Sequence, residues 1–255
     1  MKIISFTNQK GGVGKTTLCL HTAGALVELG KRVLLVDMDS QMSLSTTLVK
    51  EPGPDQKTLA DLFFTFGKYN LQDMIVRNGG VAGIDVLLSH RDLKDLDTRL
   101  VSEPDAQFFL REALESLGNA YDFVLIDCPP NLNLPTRVAL VAAHGCVVPL
   151  QPERYAFESA EPIVGLINRV RERANKGLKL LGFVINLFNP RLSEAEAYIS
   201  QLVGENPGIA FETVIHKLAP YTYAITAGLP VTHFSPSSEA SQTIRLFVKE
   251  LMDKV

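Results

Sequence analysis

The ten residues Asn8-Gln9-Lys10-Gly11-Gly12-Val13-Gly14-Lys15-Thr16-Thr17 decide the fold. They follow an apolar run, Ile3 to Phe6, and precede Leu18, Thr22, Ala25, Leu26 and Leu29, which recur at helical spacing until Gly30 ends the pattern. A strand, a glycine-rich loop and a helix, in that order, form the setting of a phosphate-binding loop: backbone N–H groups and the helix N-terminus face phosphate oxygens, and a lysine adds its charge. Gly14-Lys15-Thr16 closes the general pattern G-x-x-x-x-G-K-[ST], yet the first glycine of that pattern would fall at Gln9. The match is to a variant, x-K-G-G-x-G-K-[ST], in which Gly11 and Gly12 supply the close backbone approach that a Cβ would obstruct. A second lysine, Lys10, therefore stands ahead of the one that the ordinary loop uses.

The rest of the chain bounds the answer. Its 255 residues are 46% hydrophobic and 21% charged, which fits one sizeable α/β domain over residues 1–255. A formal net charge of −3 excludes nucleic-acid binding by the summed field, so any such binding must come from a local basic patch. Cys19, Cys128 and Cys146 lie in apolar segments without C-x-x-C spacing, which argues against a disulfide framework or a zinc site and for a reducing compartment. The first apolar run is interrupted at Thr7-Asn8-Gln9, too soon for a cleavable signal, and no stretch approaches the roughly 18–20 apolar residues of a membrane span. A cytoplasmic protein without stable membrane association is expected.

Short, almost wholly apolar runs recur at Val33–Val36, Phe123–Ile126, Cys146–Val148 and Leu180–Ile185. They do not alternate polar and apolar, which is the character of strands buried on both faces of a parallel sheet. Helical patterns lie between them, including Ile163, Leu166, Ile167 and Val170. The expected architecture is a doubly wound, mostly parallel α/β sheet with helices on both faces and its ligand at the strand C-termini. Residues 49–57 read as a polar surface excursion before a short helix at Leu59, Leu62 and Phe63. The segment from Ser238 to Val255 carries a stripe of Ile244, Phe247, Val248 and Leu251 that should pack on the sheet.

Two strands end in aspartate where a magnesium nucleotide would need one. Val33 to Asp37 continues as Asp37-Met38-Asp39-Ser40-Gln41, and Phe123 to Asp127 continues as Cys128-Pro129-Pro130. Magnesium takes a few hard oxygen ligands and keeps waters, so Thr16, Asp127 and Asp37 are the candidate metal residues. Asp37 and Asp39 would face the same side of an extended segment, and Asp39, farther out in the loop, is the candidate to orient or deprotonate a water.

With these segments assembled, the chain resembles the ParA/MinD family of deviant Walker A ATPases, and its ParA (Soj-like) branch in particular. The resemblance rests on KGGVGKTT at 10–17, GKRVLLVDMDSQ at 30–41, YDFVLIDCPP at 121–130 and VVPLQPERYAFES at 147–159. It implies a P-loop fold, ATP and Mg2+ as cofactors, and slow hydrolysis of ATP to ADP and phosphate that a partner protein stimulates. Gly11, Gly12, Val13, Gly14, Lys15, Thr16 and Thr17 would then cradle the nucleotide. Lys10, Lys15 and Asp39 would be catalytic, with Lys10 the signature lysine that reaches the partner's phosphates in an ATP-bound homodimer. A cation supplied in trans makes dimerisation depend on ATP, because phosphoryl transfer is mostly positioning and charge neutralisation.

No guanine motif N-K-x-D is present; Asn175-Lys176-Gly177-Leu178 lacks the aspartate, and the resemblance favours adenine. Asn186 stands at the end of its strand either as a base contact or as a turn cap before Pro190. The resemblance also implies nonspecific duplex DNA as a partner, hence nucleoid association, with a centromere-binding or cargo-adaptor protein as activator. The local basic sources are Arg169, Arg171, Arg173, Lys176 and Lys179 in RVRERANKGLK, with Arg191, Lys217, Arg245 and Lys249 beyond it; a solvated helix end explains the first group equally well. KLAPYTYA at 217–224 departs from the family's R-x-x-R-x-S-E-A segment, and Ser40 and Met42 depart from its usual Pro and Gly. The chain begins directly at the first strand, so no preceding operator-reading domain is expected. A protein cargo, such as a microcompartment or chemosensory cluster, fits the same residues. A MinD-like membrane cycle would need the apolar positions of RLFVKELMDKV for lipid, and core packing explains them better. An iron–sulfur relative would need glycine-rich contexts that Cys128 and its fellows lack.

Overall fold

Seven strands lie in the order β3-β4-β2-β5-β1-β6-β7: β1 Lys2–Phe6, β2 Val33–Asp37, β3 Ile75–Val76, β4 Ile84–Leu87, β5 Phe123–Asp127, β6 Gly145–Leu150 and β7 Lys179–Ile185. All neighbours run parallel except the antiparallel edge pair β3/β4. The helices are α1 Lys15–Glu28, α2 Ser43–Leu48, α3 Leu59–Phe64, α4 Leu96–Arg99, α5 Phe109–Glu115, α6 Leu134–Ala142, α7 Glu161–Arg173, α8 Ala219–Ala227, α9 Val231–Phe234 and α10 Glu239–Lys254. This computed structural model describes residues 1–66, 70–153, 160–190 and 208–255. Residues 154–159 of the fourth family-like motif, and Arg191, lie outside the described residues.

The strands are mostly apolar because both faces are covered, with Asp37 and Asp127 at the ends of β2 and β5. Every residue of β2, β5 and β6 is buried. Side chains alternate across a strand, so Val33 and Leu35 join one core while Leu34 and Val36 join the other, and Phe123 and Leu125 part from Val124 and Ile126 in the same way. One layer packs α1, α8, α9 and α10; the opposite layer packs α3, α5, α6 and α7. The expected stripe of α10 is buried to within 1% at Ile244, Phe247, Val248 and Leu251. The short edge strands β3 and β4, and helices α5, α6 and α8, were not legible as separate elements in the apolar patterning.

α1 ends as the sequence indicates. Gly30 has φ 72°, its N–H donates to Val27 O, and the Lys31 N–H donates to Leu26 O, the paired bonds of a Schellman cap. Arg245 on α10 holds the same end of α1 through two bonds to Glu28, at 2.8 and 2.9 Å, and also donates to Pro236 O. Arg245, one of the basic residues read as a DNA contact, is thus paired within the fold at a partly exposed position. Among the described residues, no helix is long and apolar enough to cross a membrane.

His21, in the middle of α1, is fully buried and joins α1 to the first residue of α9. Its Nδ1 accepts the Val231 N–H at 3.1 Å, and the ring stacks on Tyr221 with centroids 5.2 Å apart. Burial lowers its pKa from the ordinary 6.5 to about 3. Between those values the unfolded chain binds one more proton than the native protein, so His21 makes stability fall as pH is lowered through that window. The expected contribution is at most about 1.4 kcal/mol per pH unit. Urea unfolding of the parent and of His21→Gln between pH 6.5 and 4.5 checks this: the variant should show the shallower decline, and equal slopes would refute the assignment.

Candidate functional site

The site lies at the C-terminal edge of the central strands. Parallel register places Phe6 opposite Asp127, and Asp127 opposite Asp37, so both strand-end carboxylates sit beside the loop that leaves β1. That loop is braced from within. Asn8, buried in the strand exit, donates to Pro149 O at 2.7 Å and accepts the Lys10 N–H at 3.0 Å. Gly12 and Gly14 have φ of 77° and 82°, which L side chains rarely adopt, and a Cβ on Gly14 would come within 2.4 Å of Asn186 Nδ2. Gly11 has room for a Cβ, 3.8 Å from Pro130, so the chain itself does not require glycine there.

Gly14 is the N-cap of α1 and provides no side-chain acceptor, and the first turn of the helix contains no acid. The first N–H groups of a fourteen-residue helix are thus left for an external anion. Lys15 begins the helix but is only 7% exposed, and its Nζ turns back to donate to Lys10 O at 3.1 Å. Burial lowers its pKa, while Asp127, Cys128 and Asp39 oppose that shift. Val13 is buried beneath the loop; Thr16 and Thr17 are half-buried at the first turn.

The two strand-end aspartates have opposite situations. Asp37 Oδ1 accepts the Asp39 N–H at 3.0 Å, and Oδ2 accepts the N–H and hydroxyl of Ser45 at 2.8 and 2.7 Å. Burial raises its pKa to about 6 against those hydrogen bonds. Asp37 thereby holds the following loop and the first turn of α2, and its acceptors are occupied. Asp127 is equally buried, yet among the described residues neither carboxylate oxygen has a hydrogen-bond partner of ordinary geometry. Burial and then the charge of Asp37 push its pKa well up, with Thr16 and Lys15 the groups that favour its charged form. A buried carboxylate without a partner is costly, so its presence beside Thr16 and Lys15 marks a place prepared for a cation. Of the three residues read as metal ligands, Asp127 has the unclaimed oxygens, Thr16 lies next to it, and Asp37 acts from behind.

The chain leaves β2 along the sheet, with the Met38 N–H donating to Asp127 O at 2.9 Å, and turns only from Asp39 to Met42. The Gln41 N–H donates to Asp39 Oδ1 at 2.9 Å, the Met42 N–H to Asp39 O at 2.8 Å, and Met42 has φ 58°. Asp39 is half-buried, and its backbone carbonyl also accepts the Ser89 hydroxyl at 2.6 Å. Successive Asx turns, rather than strand alternation, set the direction of this loop. Ser45, Ser89 and Asn8 were missed in the sequence, although Asn8 stood within the decisive stretch.

Lys10 leaves the loop on the exposed side, and its Nζ pairs with Glu153 Oε2 at 2.5 Å. Asn186 does not cap a turn: it is 3% exposed and donates from Nδ2 to Val13 O at 2.8 Å, bracing the loop from β7. The basic residues do not form one patch. Arg169 and Arg173 line a cavity between α6 and α7, whereas Arg171 bonds Asn168 and points elsewhere. Lys176 is exposed beyond the end of α7. Lys217 lines a separate cavity of about 630 Å3 with Asn189, Pro190, His216 and Thr222, beyond the end of β7. Cys19, Cys128 and Cys146 are all free and buried. Among the described residues no cluster of three or more His, Cys, Asp and Glu could hold a metal by itself.

Residues 1–180 match the family model described as AAA domain. The chain is 32% identical to the chromosome partitioning protein ParA of Caulobacter vibrioides, an alignment that covers 100% of this chain and 95% of that one. Among solved structures, cobyrinic acid a,c-diamide synthase from Mycobacterium smegmatis with bound ADP and magnesium superposes with a TM-score of 0.84 at 28% identity, covering 99% of this chain and 94% of the other. The cell division ATPase MinD of Pyrococcus furiosus does so with a TM-score of 0.77 at 27% identity, covering 100% and 99%. Since the sequence likeness extends from end to end and includes the strand, loop and helix that form the phosphate site, the chain belongs to the ParA/MinD family of P-loop ATPases.

Proposed function

We propose that the chain is a single-domain, ATP-dependent dimerising switch that rides nonspecific duplex DNA to segregate or position a plasmid or chromosome cargo. The observation that carries this reading is the unpartnered Asp127 carboxylate beside Thr16 and Lys15, at the open N-terminus of α1. Thr16 and Asp127 would hold Mg2+, which when bound with ATP neutralises phosphate charge. Lys15 would leave its bond to Lys10 O for the phosphates, and the N–H groups of residues 11–17 would close on their oxygens. Asp39, with one carboxylate oxygen outside its turn bond, would orient the attacking water or take its proton. Hydrolysis on its own is expected to be slow, with an adaptor or centromere-binding protein raising the rate.

Lys10 supports the dimeric part of the reading. Its side chain pairs with Glu153 at the surface, where a second copy would find it accessible. Lys15→Ala should lose ATP binding. Lys10→Ala should bind ATP and remain a monomer on a sizing column; an ATP-loaded dimer of that variant would contradict the trans role.

Asp127→Asn removes a desolvated, unpartnered carboxyl group. It should raise the melting temperature of the ligand-free protein, by about 2–4 °C for each kcal/mol recovered at this chain length, while abolishing the further rise that magnesium adds to ATP. A ligand-free variant that melts lower, or keeps the magnesium-dependent rise, would remove Asp127 from the cation site.

Family resemblance supports the DNA partner, and Arg171 and Lys176 are exposed cations outside the cavity that Arg169 and Arg173 line, with Lys217 on a separate surface. Asp39→Ala should accumulate the ATP dimer and bind random-sequence duplex DNA with ATP but not ADP, with affinity falling steeply as salt rises. Absence of binding by a confirmed ATP dimer would exclude the nucleoid-riding reading and leave a protein-positioning ATPase.

A further inference from the structure

A cavity of about 370 Å3 opens between α6 and α7, in the layer opposite α1. Three guanidinium groups line it: Arg137 from α6, and Arg169 and Arg173, one turn apart on α7. Leu132, Leu166 and Val170 form its apolar wall, and no carboxylate lines it. None of the three guanidinium groups has a hydrogen bond or ion pair among the described residues. Their neighbours are committed: Arg171 bonds Asn168, and Arg111 bonds Ala174 O while its guanidinium lies 4.8 Å over the Phe108 ring.

Three like charges line one cavity in a chain of net charge −3, and an anion between them would relieve their mutual repulsion. Planar guanidinium forks suit phosphate oxygens, which they bind in pairs. The volume is at the lower end of small-molecule pockets, and its wall is aliphatic, which suits a compact organic phosphate better than the convex backbone of a duplex. The cavity also reaches the nucleotide site. Residues 128–133 join Asp127 to α6; at one end a Cβ added to Gly11 would meet Pro130 at 3.8 Å, and at the other Leu132 forms cavity wall. The Thr136 hydroxyl bonds Asn131 O at 2.6 Å and stiffens that connection.

We propose that this cavity is a second anion site, which takes a compact phosphorylated small molecule through Arg137, Arg169 and Arg173 and alters nucleotide turnover through residues 128–133. The binding half stands independently of the proposed function; the turnover half rests on ATP hydrolysis at the phosphate loop.

The test is calorimetric titration of fructose 1,6-bisphosphate into the full-length protein with excess Mg–ADP, followed by ATP turnover with and without the bisphosphate. Saturable one-to-one binding is expected. Arg137→Ala and Arg169→Ala should each weaken it by about tenfold, as loss of a charge-assisted pair does, while Arg171→Ala leaves it unchanged. Turnover should shift in the parent and not in Arg137→Ala. No saturable binding, or equal loss in Arg171→Ala, would overturn the site. Binding without any shift in turnover would overturn the coupling. If Arg137→Ala weakened duplex DNA binding and left the bisphosphate untouched, the cavity would be part of the DNA face and the proposal would fail. Failure of Mg–ADP itself to bind would refute the proposed function instead.

Discussion

The parallel register that sets Phe6 beside Asp127, and Asp127 beside Asp37, constrains everything at this end of the molecule. It brings two carboxylates to adjacent strand ends inside a sheet covered on both faces, where charge is poorly solvated. The fold resolves the conflict unequally. Asp37 is satisfied by Ser45 and by the turn at Asp39, while Asp127 is left without a partner. Evenly satisfied carboxylates would make a quieter core, and they would leave no acceptor for an incoming cation.

The cations follow the same logic. Lys15 is tucked under the backbone of its own loop, destabilised as a charge by burial, and Lys10 is held by a carboxylate from the far end of β6. Both lysines are therefore held by partners within the chain, one a backbone carbonyl and the other a surface carboxylate. The loop between them is fixed from three directions, by Asn8 on Pro149, by Asn186 on Val13 and by Gly14 packed where no Cβ fits. Rigid backbone and released side chains are complementary requirements: preorganised N–H groups need no reordering when an anion arrives, while the charges must be free to move to it.

Away from this edge, the disposition of arginine separates structure from surface chemistry. Arg245 joins α10 to α1 through Glu28 and is a brace. Arg169 and Arg173 face α6, Arg171 faces away from them, and Lys217 belongs to another part of the surface. A run of basic letters in RVRERANKGLK thus divides by helical geometry into two faces with different surroundings, which a count of charges cannot anticipate.

The sequence alone determined the sheet class, the phosphate loop, the capped end of α1, the buried stripe of α10 and the two strand-end aspartates. Each of these depends on spacings of a few residues, where strand and helix periodicity and the stereochemistry of glycine act locally. The tertiary structure decided which aspartate keeps free oxygens, how Asp39 turns, where Lys10 rests, that Asn186 braces the loop and that Arg245 is spent on Glu28. It also produced the short edge pair β3/β4, whose runs are too brief for a periodic signal. Those outcomes join residues such as Lys10 and Glu153, or Val13 and Asn186, that are far apart in the chain, and only strand order and register bring them within hydrogen-bonding distance.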